Sequence, residues 1–553
     1  MLSSMTPTFM ESDDRVTVIG TPGGTRIITM VLLGILGYDA GLTAQQVAAL
    51  PRYHHQWWPD SIGIEKDALS ADTIARLRAM GHAVVVPGEK AGERSSDAWG
   101  NLQTVEMDRR DGSLRAGSDP DGSGLGSELE QLAGDLGVDP ADPWRGFDPG
   151  SEPAELLRAA AERLRRPDSV AEPAPDVPAD LGRTPHGTAT TQAALGRTLL
   201  DLNRAAPEVG RRVVTVSPDV SSSTNLGGWV NKVGVWSHED RRDWFADDAE
   251  TILHWREKPT GQHIELGIAE TNLVGAIGEL GATWGRWGQP LLPIGVLYDP
   301  FVERALEPWS FGIYAGGQSI LVGTPSGVTL AAEGGAHQSI TTPSIGLEQP
   351  GCISYEPAFA LDTEWCLLAA LSRLGRPGGS SAYLRLSTRP VDQALAALPV
   401  SDAARDERRR QVVAGAYPLR RPDGAVVTLV GMGAVVPEVL EAADRLGALG
   451  LPADVVVVTS PGLLFRAVQA RRGLDDDPTA VLDDAFPAER AAPMVTVLDG
   501  HPHTLAFLAG IRGVEGTHLG VTQFGQSGDL ASVHRLHGLD CGTVVGAALD
   551  LVD

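Results

Sequence analysis

The stretch QHIELGIAETNLVGAIGELG, residues 262–281, decides how the rest of the chain is interpreted. A short strand-like run, 262–266, meets a glycine at Gly267, and a helix then begins whose first turn presents the carboxylate of Glu270. Small residues recur along this helix, namely Gly275, Gly278 and Gly281. They allow another backbone or a bound molecule to approach closely. Taken alone, a glutamate in a first helical turn usually complements the helix dipole at the surface.

Length and composition restrict the class of protein. A chain of 553 residues is long enough for several domains at roughly 150 residues each, and the net charge of −26 argues against nucleic acid or an anionic membrane as a general partner. The three cysteines are widely spaced, so they indicate neither a disulfide framework nor a zinc site. The longest apolar run, 27–36, is too short to span a bilayer and too far inside the chain for a secretory signal. We therefore expect a cytoplasmic protein.

Composition and periodicity divide the chain into four zones. Residues 1–118 alternate strand and helix signals, and residues 119–187 are rich in Asp, Gly, Pro and Ser, which is typical of a linker. Residues 188–398 and 399–553 alternate continuous apolar strands with helices, a pattern that favours parallel sheets covered by helices on both faces. The sequence thus predicts two parallel-sheet α/β domains preceded by an unlike N-terminal piece.

Individual elements can also be placed. In the N-terminal zone the sequence predicts a strand at 15–20 and helices near 26–36, 43–50 and 70–81, the last with Ser70 or Asp72 as N-cap and Gly81 after its end. One further helix is predicted inside the linker, at 154–166. The predicted strands of the two later zones are 212–217, 291–297, 319–323, 382–386, 426–431, 453–459, 494–499 and 518–521.

The segment around Glu270 resembles the cofactor-activating glutamate motif, G-I-x-E, of thiamine-diphosphate enzymes of the transketolase class. The resemblance covers roughly residues 188–553 and is closest to transketolase and the homodimeric pyruvate dehydrogenase decarboxylating component. It implies that Glu270 contacts N1′ of the aminopyrimidine and activates the cofactor. It also implies that the aromatic rings of Tyr298 and Phe301 hold the aminopyrimidine. Read without this context, buried aromatic residues are mostly core residues.

Further motifs of that class follow in order. VVTVSPDVSSSTN places Asp219 just after a strand, where open α/β sheets bind ligands, although an Asx turn is the simpler interpretation of such residues. EGGAHQ, residues 333–338, is similar to a family stretch whose histidine faces the substrate. The resemblance makes His337 catalytic, and it makes Gln338 and Arg389 substrate-binding residues. The closing FGQSG resembles the end of the third transketolase domain.

Several departures from the family pattern matter. The family usually has D-G-P-T-H-Q where this chain has E-G-G-A-H-Q, and the arginine motif near Arg389 is shifted by one residue. We find no G-D-G motif with an asparagine partner, which in the family anchors the diphosphate through magnesium. The sequence therefore predicts half of a site for thiamine diphosphate and magnesium, with no metal ligands of its own. The resemblance implies a homodimer, or a companion chain that supplies the diphosphate domain.

Residues 1–118 carry a second resemblance. LSSMTPTF, GTPGGTRIITMVL, the long run LPRYHHQWWPDSIGIEKDALSADTIARLRAMGH and LQTVEM are similar, in order, to the C-terminal end of the gamma-glutamyltransferase small subunit. The resemblance implies that this piece is a partial α+β sandwich fragment. It assigns Ser3 and Ser4 to the glutamyl α-carboxylate, and Gly23 and Gly24 to an oxyanion hole. A tight turn before a helix is the alternative for the two glycines. The family's threonine nucleophile, in its T-T-H context, is not found in this sequence.

Three functions remain open at this point. The first is thiamine-diphosphate chemistry, either decarboxylation and dehydrogenation of a 2-oxo acid, as in a pyruvate dehydrogenase-like oxidoreductase, or ketol transfer. The second is gamma-glutamyl transfer or glutathione hydrolysis by the N-terminal piece. The third is a catalytically incomplete fusion of two partial enzymes. We also expect exposed sheet edges in the N-terminal piece and a lower stability there.

Overall fold

In a computed structural model, the protein is described over residues 8–21, 26–56, 60–65, 68–86, 102–119, 149–165, 172–243 and 254–553. The chain divides into two compact units, Met1–Arg165 and Arg166–Asp553. In the described part of the chain, no helix has the length and apolar character needed to cross a membrane.

The first unit contains a four-stranded antiparallel sheet, in the order Thr8–Glu11, Arg15–Gly20, Gln103–Asp108 and Leu114–Ser118. A three-stranded sheet is formed by Tyr53–Gln56, Ser61–Ile64 and Val84–Val85. The helices are Ile27–Asp39, Ala44–Ala48, Ala71–Ala79 and Glu152–Arg163. A small apolar core, which includes Ile19, Val31 and Val47, joins the first two helices to one face of the four-stranded sheet.

Helix capping in the first unit follows the sequence. The side chain of Ser70 accepts a hydrogen bond from the Thr73 N–H, and Gly81 has φ +96°, which only glycine adopts without strain. Thr43 forms a capping box with Gln46 at the start of Ala44–Ala48. These predicted helices are confirmed, with ends that differ by a few residues.

The second unit is built on an eight-stranded sheet in which all strands are parallel. Its order is Glu257–Lys258, Val235–Trp236, His263–Glu265, Val213–Ser217, Leu292–Leu297, Ile320–Gly323, Ser381–Arg385 and Cys352–Tyr355. The helices of this region are Thr191–Ala205, Pro207–Gly210, Gly227–Val233, Glu270–Gly281, Thr283–Trp287, Val302–Tyr314, Ile345–Glu348 and Ala360–Leu371. A short antiparallel pair joins Thr188–Ala189 to Val391–Asp392.

A five-stranded sheet follows, in the order Ala416–Arg420, Ala453–Val458, Val427–Met432, Met494–Leu498 and Gly516–Leu519. Only the edge strand Ala416–Arg420 runs antiparallel to its neighbour. The helices are Asp402–Ala414, Val436–Ala448, Pro461–Arg471, Ala480–Ala485, His503–Ala506, Leu530–Leu536 and Cys541–Val552. The predicted fold class, parallel-sheet α/β after an α+β piece, is confirmed.

The glycines of the Glu270 helix do allow close approach. A side-chain carbon on Gly278 would lie 3.4 Å from the Cα of Gly312 in the neighbouring helix, and one on Gly281 would lie 2.4 Å from the carbonyl oxygen of Gln318. Gly275 has open space around it. The Glu270 helix is therefore packed closely against the helix Val302–Tyr314. This contact fixes the position of Glu270 relative to the first turn of Val302–Tyr314.

Part of the predicted linker is folded against the second unit. Asp180 accepts hydrogen bonds from the Trp365 indole N–H at 2.8 Å and from the Arg405 guanidinium at 3.2 Å. The Leu181 N–H donates to Glu364. Composition alone did not indicate this packing, because the contacts are made by a few polar groups in an otherwise Pro- and Asp-rich segment.

Candidate active site at the carboxyl edge of the parallel sheet

Three neighbouring strands of the eight-stranded sheet deliver the candidate site residues to one edge. Glu265 and Ser217 are register partners at the ends of their strands, and Leu297 ends the next strand. Asp219, Glu270 and Tyr298 follow these strand ends along the chain. The chain passes from one side of the Val213–Ser217 strand to the other here, and open α/β sheets bind ligands at such switch points.

Glu270 is the first residue of its helix, and 7% of its surface is exposed. Gly267, at φ +67°, makes the turn between the strand and the helix. Among the described residues, Arg304 forms an ion pair with Glu270, with its Nη1 3.6 Å from Glu270 Oε1. A carboxyl group buried at a helix N-terminus is favourably placed relative to the helix dipole.

Tyr298, Phe301 and His337 form a compact aromatic group. The rings of Tyr298 and Phe301 are nearly parallel, at 17°, with centroids 6.1 Å apart. The imidazole of His337 meets both edge-on, at 6.0 Å from Tyr298 and 5.9 Å from Phe301. Glu333 Oε2 lies 3.9 Å from His337 Nδ1, and both side chains are partly exposed. The structure thus brings together the two rings and the histidine that the sequence singled out.

The loop that carries Asp219 is held by a buried hydrogen-bond relay that the sequence reasoning did not identify. Asp219 has φ +68°, and its N–H donates to Glu265 Oε1 at 2.6 Å. Glu265 Oε2 faces His263 Nε2 at 3.2 Å, and His263 Nδ1 lies 2.8 Å from the Thr215 hydroxyl. Because Nε2 faces a carboxylate, we assign the imidazole proton to Nε2, which leaves Nδ1 to accept from Thr215.

This relay has an electrostatic consequence at Glu265. Burial alone would raise the pKa of Glu265, but hydrogen bonds from His263 and from the Asp219 N–H outweigh burial and lower the pKa. Glu265 is therefore ionised at neutral pH. The same loop contacts the aromatic group, since the Tyr298 hydroxyl donates to Ser223 Oγ at 3.0 Å. The sequence signal that could have indicated this relay is the strand H-I-E, in which the polar residues His263 and Glu265 point to the same face of the sheet.

Gln338 and Arg389 are engaged within the protein. Gln338 is buried, and its amide nitrogen donates to the carbonyl oxygens of Ala331 and Gln526. Arg389 makes two hydrogen bonds to the carboxylate of Glu438, at 2.6 and 2.7 Å. Burial would raise the pKa of Glu438, but hydrogen bonds from His534 and Arg389 lower it. Arg389 thus has an anionic partner already.

A buried charge cluster lies immediately behind the aromatic group. Asp299, which stands between Tyr298 and Phe301 in the sequence, accepts hydrogen bonds from Arg385 at 2.9 Å, from Thr342 at 2.7 Å, and from the hydroxyls of Tyr383 and Ser339. Arg385 also donates to Glu356 Oε1 at 2.8 Å. A charged residue inside the apolar strand SAYLR was the sequence signal for this cluster.

Glu356 is the unusual member of the cluster. Burial raises its pKa to about 7, against the opposing effect of Arg385 and with the carboxylates of Asp499 and Asp299 adding to the rise. Its second oxygen, Oε2, has no hydrogen-bond partner among the described residues. The cluster fixes the loop of Ser339 and Thr342, which continues from His337, to the strand end that carries Tyr298.

Four residues that the sequence singled out cannot be placed relative to this site. Ser3, Ser4, Gly23 and Gly24 lie outside the described residues. Within the described part of the chain, no group of three or more His, Cys, Asp or Glu side chains is arranged to hold a metal ion. The structure thus places one buried carboxyl group, two stacked aromatic rings and one histidine at this edge of the sheet.

Comparison with known families gives three matches along the chain. Residues 1–128 match the family model of gamma-glutamyltranspeptidase, residues 180–377 that of the pyruvate dehydrogenase E1 component middle domain, and residues 415–540 that of the transketolase-like C-terminal domain. Both resemblances expected from the sequence are thereby confirmed. The predicted division of the chain into zones that end at residues 118, 187 and 398 stays a prediction.

Curated relatives match in the same pattern. The chain is 26% identical over 389 residues to the pyruvate dehydrogenase E1 component of Mycolicibacterium smegmatis, which covers 66% of this chain and 40% of the relative. Over 121 residues it is 39% identical to the glutathione hydrolase proenzyme of Escherichia coli, which covers 22% of this chain and 19% of the relative. The chain therefore spans less than half the length of these relatives.

Solved structures show the same fold. Transketolase from Leishmania mexicana aligns with a TM-score of 0.51 at 18% identity, covering 88% of this chain and 58% of that chain. Transketolase from Campylobacter jejuni aligns with a TM-score of 0.52 at 18% identity, covering 87% of this chain and 66% of that chain. The parallel-sheet architecture of the second unit is that of a transketolase-like fold.

Proposed function

We propose that the second unit binds the aminopyrimidine half of thiamine diphosphate at the carboxyl edge of its eight-stranded sheet, and that it acts in decarboxylation of a 2-oxo acid. The observation that carries this proposal is the buried carboxyl group of Glu270 at a helix N-terminus beside the rings of Tyr298 and Phe301. One arginine, Arg304, touches both Glu270 and Phe301, so the carboxyl group and the ring line the same small space.

The residues fit one half of the cofactor and not the other. A planar heterocycle needs a ring to stack on and a carboxyl group for its ring nitrogen, and both are in place. The diphosphate needs a magnesium ion with hard oxygen ligands. The described residues contain no arrangement of three metal-ligating side chains. We therefore propose that a companion chain supplies the diphosphate and magnesium part of the site.

Each residue then has a role. Bound thiamine diphosphate supplies a carbon nucleophile that can hold the electron pair left when a 2-oxo acid loses carbon dioxide. Glu270 holds a proton against the ring nitrogen N1′, and Tyr298 and Phe301 fix the ring plane. His337, next to Glu333, donates or accepts a proton at substrate oxygens. Asp219 borders the cofactor on a loop fixed by Glu265.

The ion pairs of Arg385 and Arg389 favour a 2-oxo acid over a sugar phosphate as the substrate. Recognition of a phosphate favours a guanidinium with both donors free. Arg389 is bound to Glu438, and Arg385 is enclosed between Asp299 and Glu356. Binding a phosphate at either would break an existing ion pair, which at Arg385 is buried. Ketol transfer from a ketose phosphate is therefore the less favoured of the two thiamine-diphosphate reactions.

Isothermal titration of the full chain with thiamine diphosphate and magnesium tests the proposal, alone and mixed with a chain that contains a diphosphate domain. Glu270→Gln should weaken binding, because the amide offers N1′ only a neutral N–H hydrogen bond in place of the acid proton of the carboxyl group. Glu279→Gln is the matched control, since Glu279 lies on the same helix but is exposed and pairs with Arg286. Equal binding by wild type and Glu270→Gln would contradict the proposal.

The match of residues 1–128 to gamma-glutamyltranspeptidase keeps gamma-glutamyl transfer or glutathione hydrolysis as a second candidate for the first unit. Release of chromophore from a gamma-glutamyl anilide would support it, and a flat trace at high protein concentration would dismiss it. A chain inactive in both assays would support the third possibility, a catalytically incomplete fusion.

A further inference from the structure

Arg304 occupies the space between the two groups that the proposed function assigns to the cofactor ring. Its guanidinium carbon lies 4.3 Å from the centroid of the Phe301 ring, and its Nη1 lies 3.6 Å from Glu270 Oε1. More than half of the side chain, 55%, is exposed to solvent. The arginine is thus laid across an aromatic face and against a buried carboxyl group from the solvent side.

We propose that Arg304 is a placeholder, which covers the aminopyrimidine position and must swing out before a planar ring can bind. This inference rests on the proposed function. A guanidinium and an aminopyrimidine share the relevant chemistry, because both are flat and both share a proton with a carboxyl group. The guanidinium donates its N–H groups to the carboxylate, and the ring nitrogen accepts the proton that the carboxyl group holds. A guanidinium 4.3 Å above a ring leaves no room for a second ring on the same face.

The contacts that hold Arg304 are weak enough to be exchanged. Among the described residues, its guanidinium has a cation–π contact and one ion pair that is longer than a hydrogen bond. Such contacts at partly exposed sites contribute little each. Displacement is therefore possible at ordinary ligand concentrations. Binding of the ring would also separate Glu270 from its cation, so ligand entry and release of Glu270 would occur together.

The matched pair of variants is Arg304→Gln and Arg286→Gln. Arg286 pairs with Glu279 at 2.6 Å, has 36% exposure and lies away from the aromatic group. Each arginine pairs with a glutamate of the helix Glu270–Gly281, so a general charge effect would change both variants. Thiamine is the primary probe, because it contains the aminopyrimidine without the diphosphate and needs no magnesium site. Thiamine diphosphate with magnesium is the second probe.

Titration calorimetry on the full chain should show that Arg304→Gln binds thiamine about tenfold more tightly than the wild type, the change expected from removing one cation–π contact and one exposed ion pair. Arg286→Gln should bind as the wild type does. Unchanged or weaker binding by Arg304→Gln, with Glu270→Gln weakening binding, would overturn the placeholder and leave the proposed function standing. Absence of binding of both probes to the wild type and to Arg304→Gln, alone and mixed with a chain that contains a diphosphate domain, would overturn both.

Discussion

Each unit of the protein buries one arginine between two carboxylates, and the two arrangements differ in what they connect. In the first unit, Arg52 makes two hydrogen bonds to Glu65, at 2.6 and 2.9 Å, and an ion pair with Asp119 at 2.5 Å. Glu65 is only 13 residues away in the chain. In the second unit, Arg385 joins Asp299 and Glu356, which are 86 and 29 residues away.

The difference lies in access to water at one of the carboxylates. In the first unit Glu65 keeps 17% of its side chain exposed, although Arg52 and Asp119 are 4% and 2% exposed. In the second unit the side chains of Asp299, Glu356 and Arg385 are 0%, 8% and 2% exposed. A buried ion pair is worth little on its own, but removing one partner leaves an uncompensated charge. Arg52 therefore links the hairpin before Glu65 to Asp119, which follows the strand Leu114–Ser118, while the cluster in the second unit positions the wall of the candidate site.

Replacing Arg385 should have the largest effect on this comparison. Arg385→Met leaves Glu356 without its hydrogen-bond donor and Asp299 without its cation, so we expect a loss of about 3–5 kcal/mol in the free energy of unfolding. Urea unfolding followed by circular dichroism measures it. Arg52→Met is the counterpart and should cost less, because water can reach Glu65. Equal losses would show that water access does not separate the two arrangements.

The sheet of the first unit is also more exposed to solvent than the sheet of the second unit. The four-stranded sheet leaves Phe9, Val105, Met107 and Leu114 exposed by 38–70% on one face. In the eight-stranded sheet, strands such as Leu292–Leu297 are buried throughout. We therefore expect amide hydrogen exchange of the core strands to be about a hundredfold faster in the first unit, equivalent to about 3 kcal/mol. Comparable protection in both units would contradict this expectation.

Glu356 gives the cluster a pH dependence that the Arg52 arrangement need not share. Its pKa is raised to about 7 from an ordinary value near 4.5. The folded state therefore binds a proton that the unfolded state has released, so this group's contribution to stability falls as pH rises from about 4.5 to about 7 and is flat above. Glu356→Gln removes this decline, which we expect to amount to about 3 kcal/mol.

Chemical denaturation of wild type and Glu356→Gln at a series of pH values measures the difference between the two proteins. The variant should become relatively more stable as the pH rises through this window. Parallel stability profiles would mean that the pKa of Glu356 is the same in the folded and the unfolded protein, so that Arg385 offsets the effect of burial.

Sequence reasoning was most successful where local physics decides the structure. The strand 15–20, the start of the helix at Glu270 and the N-cap at Ser70 all appear as predicted. Apolar runs and capping residues act over a few positions, so one sequence is enough to place them. The resemblance then supplied Tyr298, Phe301 and His337, and the structure brings these three rings together.

What could not be predicted depends on residues far apart in the chain. Arg385 carries no local sign that its partners are Asp299 and Glu356, and Arg304 looks like an ordinary exposed helix residue. The relay from His263 through Glu265 to Asp219 likewise needs the register of two parallel strands. Pairing across a sheet is a tertiary property, which a single sequence encodes only indirectly.

The smallest expected effect tests whether the exposed face of the four-stranded sheet contributes little to the free energy of unfolding. Val105 is 45% exposed and pairs with Val18 and Ala116, whereas Val296 is fully buried in the eight-stranded sheet. Val105→Thr should change the free energy of unfolding by less than about 0.5 kcal/mol, and Val296→Thr should cost about 1–3 kcal/mol because its hydroxyl is buried. If Val105→Thr cost as much as Val296→Thr in urea unfolding, the face would be covered in solution, and the contrast between the two units would have to be attributed to something other than burial.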